Sequence, residues 1–257
     1  MKKLIELLGG KFLFLITYVG DISILSFLSL KKIFKIRIKE DILKYINEIG
    51  AESMSLVGII ALFTGMVLVM ETAHTLKKFG AEMYSGSLVS ISMIRELGPV
   101  LIALIVAGRI GASIAAEIGV MKITEQIDAL SVMGVDPIAY LISPRIVAGL
   151  VSLPALFILS FFISIFGGFL VGVFTVGISS GVFLYQSFKY IGIKDFLIGL
   201  FKVVVFSIII INISSYHGIN ASGGAEGVGK ASTYAVVSSF FFIILANLII
   251  TGLFYFV

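Results

Sequence analysis

The sequence predicts an all-α integral membrane protein with five transmembrane helices. Three observations carry that expectation. Of 257 residues, 59% are hydrophobic and 13% charged, with a mean hydropathy of +1.14; soluble domains run nearer half apolar and about a quarter charged. After residue 50 the chain divides into apolar runs, each long enough for the ~20 residues that cross about 30 Å of hydrocarbon. Lysine and arginine gather in one set of loops, the asymmetry that orients spans in a bilayer. The length leaves room for one membrane domain and no sizeable soluble one, so the chain divides into an interfacial region, 1–50, and a transmembrane domain, 51–257.

The opening "MKKLIELLGG" has a basic head, but no small-residue cleavage site follows, so it is kept in the mature protein. Phe12–Leu30 is apolar enough to span, yet Asp21 interrupts it and basic residues flank it. It reads as an amphipathic segment on the membrane surface, with a sixth span as the alternative. The five spans fall near Ser53–Thr75, Ser85–Ile118, Val147–Val176, Phe196–Tyr216 and Tyr234–Val257. The second and third exceed the minimum, so tilt, kinks or extensions are expected.

Placing the N-terminus and loops 119–145 and 217–233 on one side gathers there Lys2, Lys3, Lys11, Lys31, Lys32, Lys35, Arg37, Lys39, Lys44, Lys122, Arg145 and Lys230. The opposite loops hold Lys77, Lys78, Lys189 and Lys194. That excess puts the N-terminus in the cytoplasm and, after five spans, the C-terminus outside. Cysteine is absent, and His74 and His217 stand far apart at span ends, which excludes thiolate metal sites and argues against any metal cluster.

The second span contains "SMIRELGPVLIALIVAGRIGASIAAEIG", with Arg95, Glu96, Arg109 and Glu117 in apolar surroundings. A charge at the bilayer centre costs at least ~2.5–3.5 kcal/mol. Neighbours on a helix point about 100° apart, so Arg95 and Glu96 cannot neutralise each other. Pro99 removes the hydrogen bond to the Arg95 carbonyl, and Gly98 adds slack. Such irregular backbone is tolerated when packed in protein or lining a water-filled cavity. Lys202 and Asn247, on the fourth and fifth spans, sit at a similar outer-half depth. Arg95, Glu96, Lys202 and Asn247 are therefore expected to converge, as a substrate pocket or as a structural ion-pair network. Arg109 and Glu117, nearer the cytoplasmic end, read as structural and able to hold the insert helix described next; Glu71 is a marginal candidate for the pocket rim. Ala107, Gly111, Ala115 and Gly119 form a small-residue ladder, for packing within one subunit or for a homodimer seam.

Between the second and third spans, "MKITEQIDALSVMGVDPIAYLISPR" predicts a helix over Glu125–Met133. Thr124 is its expected N-cap, Ile127, Leu130, Ala129 and Met133 its apolar flank, Gly134 its left-handed cap, and Asp136-Pro137 its stop. At ~14 Å it is too short to span. It reads either as a connector or as a docking element for a cytoplasmic partner.

"SGGAEGVGKAST", residues 222–233, matches a P-loop except that Ala231 stands where Ser or Thr should bind magnesium. A membrane helix precedes it where the motif needs a strand. It is expected to be a flexible turn, with Ser232 or Thr233 capping the last helix, and the chain is not an ATPase. No catalytic residue emerges: no cysteine is present and neither histidine adjoins a plausible nucleophile. Three rival classes remain for comparison: an ion-coupled secondary transporter with Arg95, Glu96 and Lys202 as relay, a lipid-acting intramembrane enzyme, and a structural scaffold.

The run "RELGPVLIALIVAGRIGASIAAEIGVMKITEQIDALSVMGVDPIAYLISPR", with "SLPAL", "GGFLVGV", "LFKVVVFSIII" and "GGAEGVGKASTYAVVSS", resembles the MlaE/YrbE family of permeases over nearly all of the chain after residue 45. The resemblance implies an interfacial elbow helix before five spans, pairing as a homodimer, and a lipid cavity at the dimer centre. It implies that Glu125, Gln126, Ile127, Asp128, Leu130 and Met133 form a coupling helix on an ABC ATPase (MlaF-like), which alone holds ATP and magnesium. It further implies an MCE-domain partner (MlaD-like), a bacterial inner-membrane location with a periplasmic C-terminus, and phospholipid transport that maintains outer-membrane asymmetry. Arg95, Glu96 and Lys202 match charged positions around the cavity, whereas Asn247 stands where some relatives carry Asp. No metal, no cofactor of its own and no nucleic-acid partner is implied.

Overall fold

A computed structural model describes residues 2–35 and 39–255, and no strand occurs among them. Arg37, part of the basic count, lies outside the described residues. In chain order the helices are α1 (Lys2–Lys31), α2 (Asp41–Lys77), α3 (Glu82–Ile123), α4 (Gln126–Val132), α5 (Ile138–Phe174), α6 (Ser180–Lys189), α7 (Ile193–Ile219) and α8 (Gly224–Phe254). Among the described residues α2, α3, α5, α7 and α8 are long and apolar enough to cross a membrane. Every one starts before its expected first residue: α2 by twelve positions, running unbroken through residue 50. The end of the bundle carrying α4 is called the near end, and the opposite one the far end.

Glycine lets α2 and α5 touch backbone to backbone. A Cβ on Gly65 would lie 1.9 Å from the Ser164 carbonyl oxygen, and one on Gly167 2.3 Å from that of Leu62. The ladder on α3 serves the same purpose inside the chain. A Cβ on Gly111 would meet Ser214 Oγ of α7 at 2.9 Å, and one on Gly218 would approach the Ala115 carbonyl oxygen at 3.0 Å. Packing within one subunit is what that stripe does.

α1 crosses α7 at the near end. Tyr18 Oη lies 2.9 Å from His217 Nε2, and Ser29 Oγ donates to Asn212 Oδ1 at 2.9 Å. About 16 Å of α1 thus passes only about 7.5 Å of α7 at 1.5 Å per residue.

α4 differs from expectation in its start. Thr124 does not cap it; its hydroxyl donates back to the Val120 carbonyl at 2.8 Å and closes α3. Glu125 takes the turn instead, at φ +61°. Gly134 ends α4 at φ +74°, as expected. Asp136 begins α5, accepting from the Ile138 backbone N–H at 3.0 Å. The residues 224–233, expected to be a flexible turn, are the first turns of α8. Ser232 and Thr233 bond to the carbonyls of Val228 and Gly229, four residues back, and cap nothing. α6 has no counterpart among the expected elements; Ser87 of α3 donates to its Gln186 carbonyl at 2.9 Å.

Candidate functional site

Three of the four polar residues expected to converge do so, toward the far end between α3, α7 and α8. Lys202 has no exposed surface. Its ammonium donates to the Arg95 carbonyl oxygen at 2.7 Å, to Glu96 Oε1 at 2.8 Å and to Thr251 Oγ1 at 2.8 Å. An ammonium has three N–H donors, and all are used. The Thr251 hydroxyl donates a hydrogen bond to Glu96 Oε1 at 2.8 Å, and Asn247 Nδ2 donates to Glu96 Oε2 at 2.8 Å.

The local backbone explains why these groups can meet. Residues Met93–Leu97 form a wide π turn, in which the Gly98 N–H bonds to the Met93 carbonyl five residues back. Pro99 follows without an N–H, which leaves the Arg95 carbonyl for another donor. Gly199 of α7 brings the helices together, since a Cβ there would sit 2.6 Å from the Ile94 carbonyl oxygen. Lys202 lies one turn further along the same helix and reaches the freed acceptor. The expected disturbance at Gly98 and Pro99 is therefore present as a widened turn.

Arg95 turns the other way. Its guanidinium grips Asp195 through Nε to Oδ1 at 2.8 Å and Nη2 to Oδ2 at 3.0 Å. Sequence reasoning missed Asp195 and Thr251, although Asp195 precedes Lys202 by two helical turns and Thr251 follows Asn247 by one. With Asp195 included, Arg95 and Lys202 balance Asp195 and Glu96. Part of the group faces outward: the side chains of Arg95 and Glu96 are 40% and 38% exposed. Asn247 Oδ1 is buried and accepts no hydrogen bond. The arrangement is an ion-pair network in which Arg95 and Glu96 each keep part of the side chain exposed.

Arg109 and Glu117 do not hold α4. Arg109 Nη2 pairs with Glu52 of α2 at 2.9 Å and its Nη1 donates to Ser53 Oγ at 2.8 Å. Glu117 pairs at 2.6 Å with Arg145 of α5. Arg145, a loop cation by its place in the sequence, is only 1% exposed, because Tyr45 and the Leu141 carbonyl enclose it. α4 is held by Lys122 and Asp128, 3.2 Å apart. On α4, Ile127 is buried and Leu130 half-buried, while Glu125, Gln126 and Asp128 face outward. Ala129 and Met133, expected on the apolar flank, are also exposed. Glu71 and His74 are exposed as well.

The family model described as Permease MlaE matches residues 42–253. A protein of Rickettsia prowazekii, described as a probable ABC transporter permease, is 40% identical over 254 residues, 98% of each chain. The Haemophilus influenzae intermembrane phospholipid transport system permease protein MlaE is 40% identical over 217 residues, covering 82% of this chain and 79% of that one. A probable ABC transporter permease of Synechocystis is 39% identical over 215 residues, 84% and 82% of the two chains.

Proposed function

The chain belongs to the MlaE permease family, and on that premise we propose that this ABC transporter permease moves phospholipids between the inner membrane and an MCE-domain protein. Maintenance of outer-membrane lipid asymmetry is the role such transport would serve. The observation that carries the reading is the half-open cluster at the far end. Lys202 is fully enclosed, while Glu96 and Arg95 keep an exposed side. A headgroup would meet that side, with acyl chains against the apolar spans. Burying a charge is costly unless it is paired, and a zwitterionic headgroup brings both signs.

The chain carries no ATP site of its own in this reading; a separate ATPase binds ATP and magnesium and docks on the outward face of α4. α3 links Glu96 to α4 in one continuous helix, so it can bias both sites together. A second copy of the chain would cover α8, whose Leu248 is 69% exposed beside Asn247. The N-terminus and α4 lie in the cytoplasm and the C-terminus in the periplasm, in keeping with the lysine and arginine distribution. An ion-coupled secondary transporter is disfavoured by membership of an ABC permease family.

The test is ATP-dependent lipid transfer by the purified complex, with bound lipid measured alongside. Lys202→Met or Glu96→Gln should lower both. Unchanged lipid occupancy in both variants, or transfer persisting without nucleotide, would sink the proposal.

A further inference from the structure

α3 carries a second set of charges, away from the far-end cluster. Arg109 lies about 21 Å along the helix from Arg95 at 1.5 Å per residue. There α2, α3 and α5 enclose a cavity of about 450 Å³, within the size range of small-ligand sites. Its charges balance, with Lys44, Arg109 and Arg145 set against Glu48, Glu52 and Glu117.

Three features separate this cavity from an ordinary ion-paired surface. Arg145 is nearly inaccessible, lies 4.4 Å over the Tyr45 ring, and makes no hydrogen bond through Nε. Wide π turns at Asn47–Ala51 and Ala107–Gly111 line it, and a third at Ile138–Ile142 supplies the Leu141 carbonyl that accepts from Arg145; such turns recur at functional sites. The first holds Glu48 and the second holds Arg109. The third feature is uneven burial: Lys44 and Glu117 stay 63% and 45% exposed, so the cavity opens at the protein surface.

The geometry points to a second ligand site that takes a phosphoethanolamine group, the zwitterionic headgroup of a phospholipid. A lone anion or cation entering a balanced set would leave one resident charge unpaired, which is costly at this depth. A zwitterion exchanges both signs at once. The Lys44–Glu48 pair is the loosest, at 3.7 Å, and opens to admit it. The phosphate then lies on Lys44 and Arg109, and the ammonium on Glu48 and Glu117. Beyond Glu52 the residues of α2 that follow on the same face, Leu56, Ile59 and Phe63, are apolar and exposed, a track for acyl chains. Only the source of the ligand, a bilayer phospholipid, rests on the permease reading.

The chain has no tryptophan, so Ser113→Trp on the cavity wall supplies a single reporter. The full-length protein is placed in phosphatidylcholine nanodiscs containing phosphatidylethanolamine or phosphatidylglycerol with acyl chains brominated near the headgroup. Phosphatidylethanolamine should quench at a mole fraction lower by at least about three-fold than phosphatidylglycerol, as charge complementarity favours it. Glu48→Gln, which leaves the cavity net positive, should abolish or reverse that preference, and Lys44→Gln should weaken quenching by both lipids. Equal quenching by both lipids, or a preference that survives Glu48→Gln, overturns the lipid assignment. In that event a saturable change in emission with soluble phosphoethanolamine would keep the site for the free group, and no change would remove the site. No nucleotide or transfer step enters the measurement, so its failure leaves the transport reading standing.

Discussion

Lys202 Nζ lies 2.7 Å from the carbonyl oxygen of Arg95, the acceptor that Pro99, four residues on, cannot use. One irregularity in α3 thus provides the anchor for a buried lysine on α7. Lys202→Met would leave the Glu96 carboxylate and the Arg95 carbonyl without their main donor. Breaking a buried pair from one side costs about 3–5 kcal/mol. Thermal unfolding in detergent should show that loss, and Lys202→Met with Glu96→Gln together should cost less than Lys202→Met alone.

Pro99→Ala restores an N–H that can bond to the Arg95 carbonyl. In that background Lys202→Met strands one acceptor fewer, so its cost should fall by about 1 kcal/mol, the worth of one hydrogen bond. A double-mutant cycle measures the coupling. Strict additivity would show that the proline and the lysine do not share the carbonyl.

Gly199 positions the same contact. An alanine there would place its Cβ 2.6 Å from the Ile94 carbonyl and 2.8 Å from Phe157 Cζ, so α7 must retreat from α3. Overpacking of this kind costs about 1–3 kcal/mol. Gly199→Ala should lower stability by that amount and reduce bound lipid, while Gly229→Ala, with no neighbour within 4 Å, should be neutral or mildly stabilising in a helix interior.

The spans are legible in the sequence because an apolar run of membrane length is too long for the core of so small a soluble domain. Lys202, Glu96 and Asn247 are legible as a group because charge is costly among apolar residues. The true partner of Arg95 is not, because Asp195 stands at the head of its helix, where an acidic residue reads as a dipole complement. Arg145 shows the same limit: a basic residue beside a loop looks solvated until Tyr45 and Glu117 close over it. α6 escapes notice because its ten residues make fewer than three turns, too short a stretch to show a period, and the start of α8 because its glycines read as a loop.

Asp136 and Lys32 tie the segment after α1 to the start of α5. Burial alone would raise the Asp136 carboxyl, but Lys32 and the backbone N–H groups of Ala139 and Ile138 bring it below the ordinary carboxylate value. A lowered pKa in the folded state adds stability in full above the unfolded value of ~3.9. That contribution is lost as pH falls through the lower, folded value. Asp136→Asn should therefore cost up to about 1 kcal/mol at neutral pH, as partly exposed pairs do, and nothing in strong acid. A cost that persists at low pH would mean that Lys32 is not the reason.

α4 separates fold from partner binding at a single position. Glu125 sits at φ +61°, a conformation that costs a non-glycine residue about 1–2 kcal/mol. Glu125→Gly should then hold or raise thermal stability, and Glu125→Lys should change it little because the side chain is exposed. A docking role makes a different demand. Reversing the charge at Glu125 should uncouple ATP hydrolysis from lipid transfer in the assembled complex, with the fold intact. Asp128→Lys is less clean, since it also breaks the pair with Lys122; Asp128→Asn with added salt controls for that. If Glu125→Lys transfers lipid at the normal rate per ATP, the outward face of α4 is a connector and the ATPase rests elsewhere.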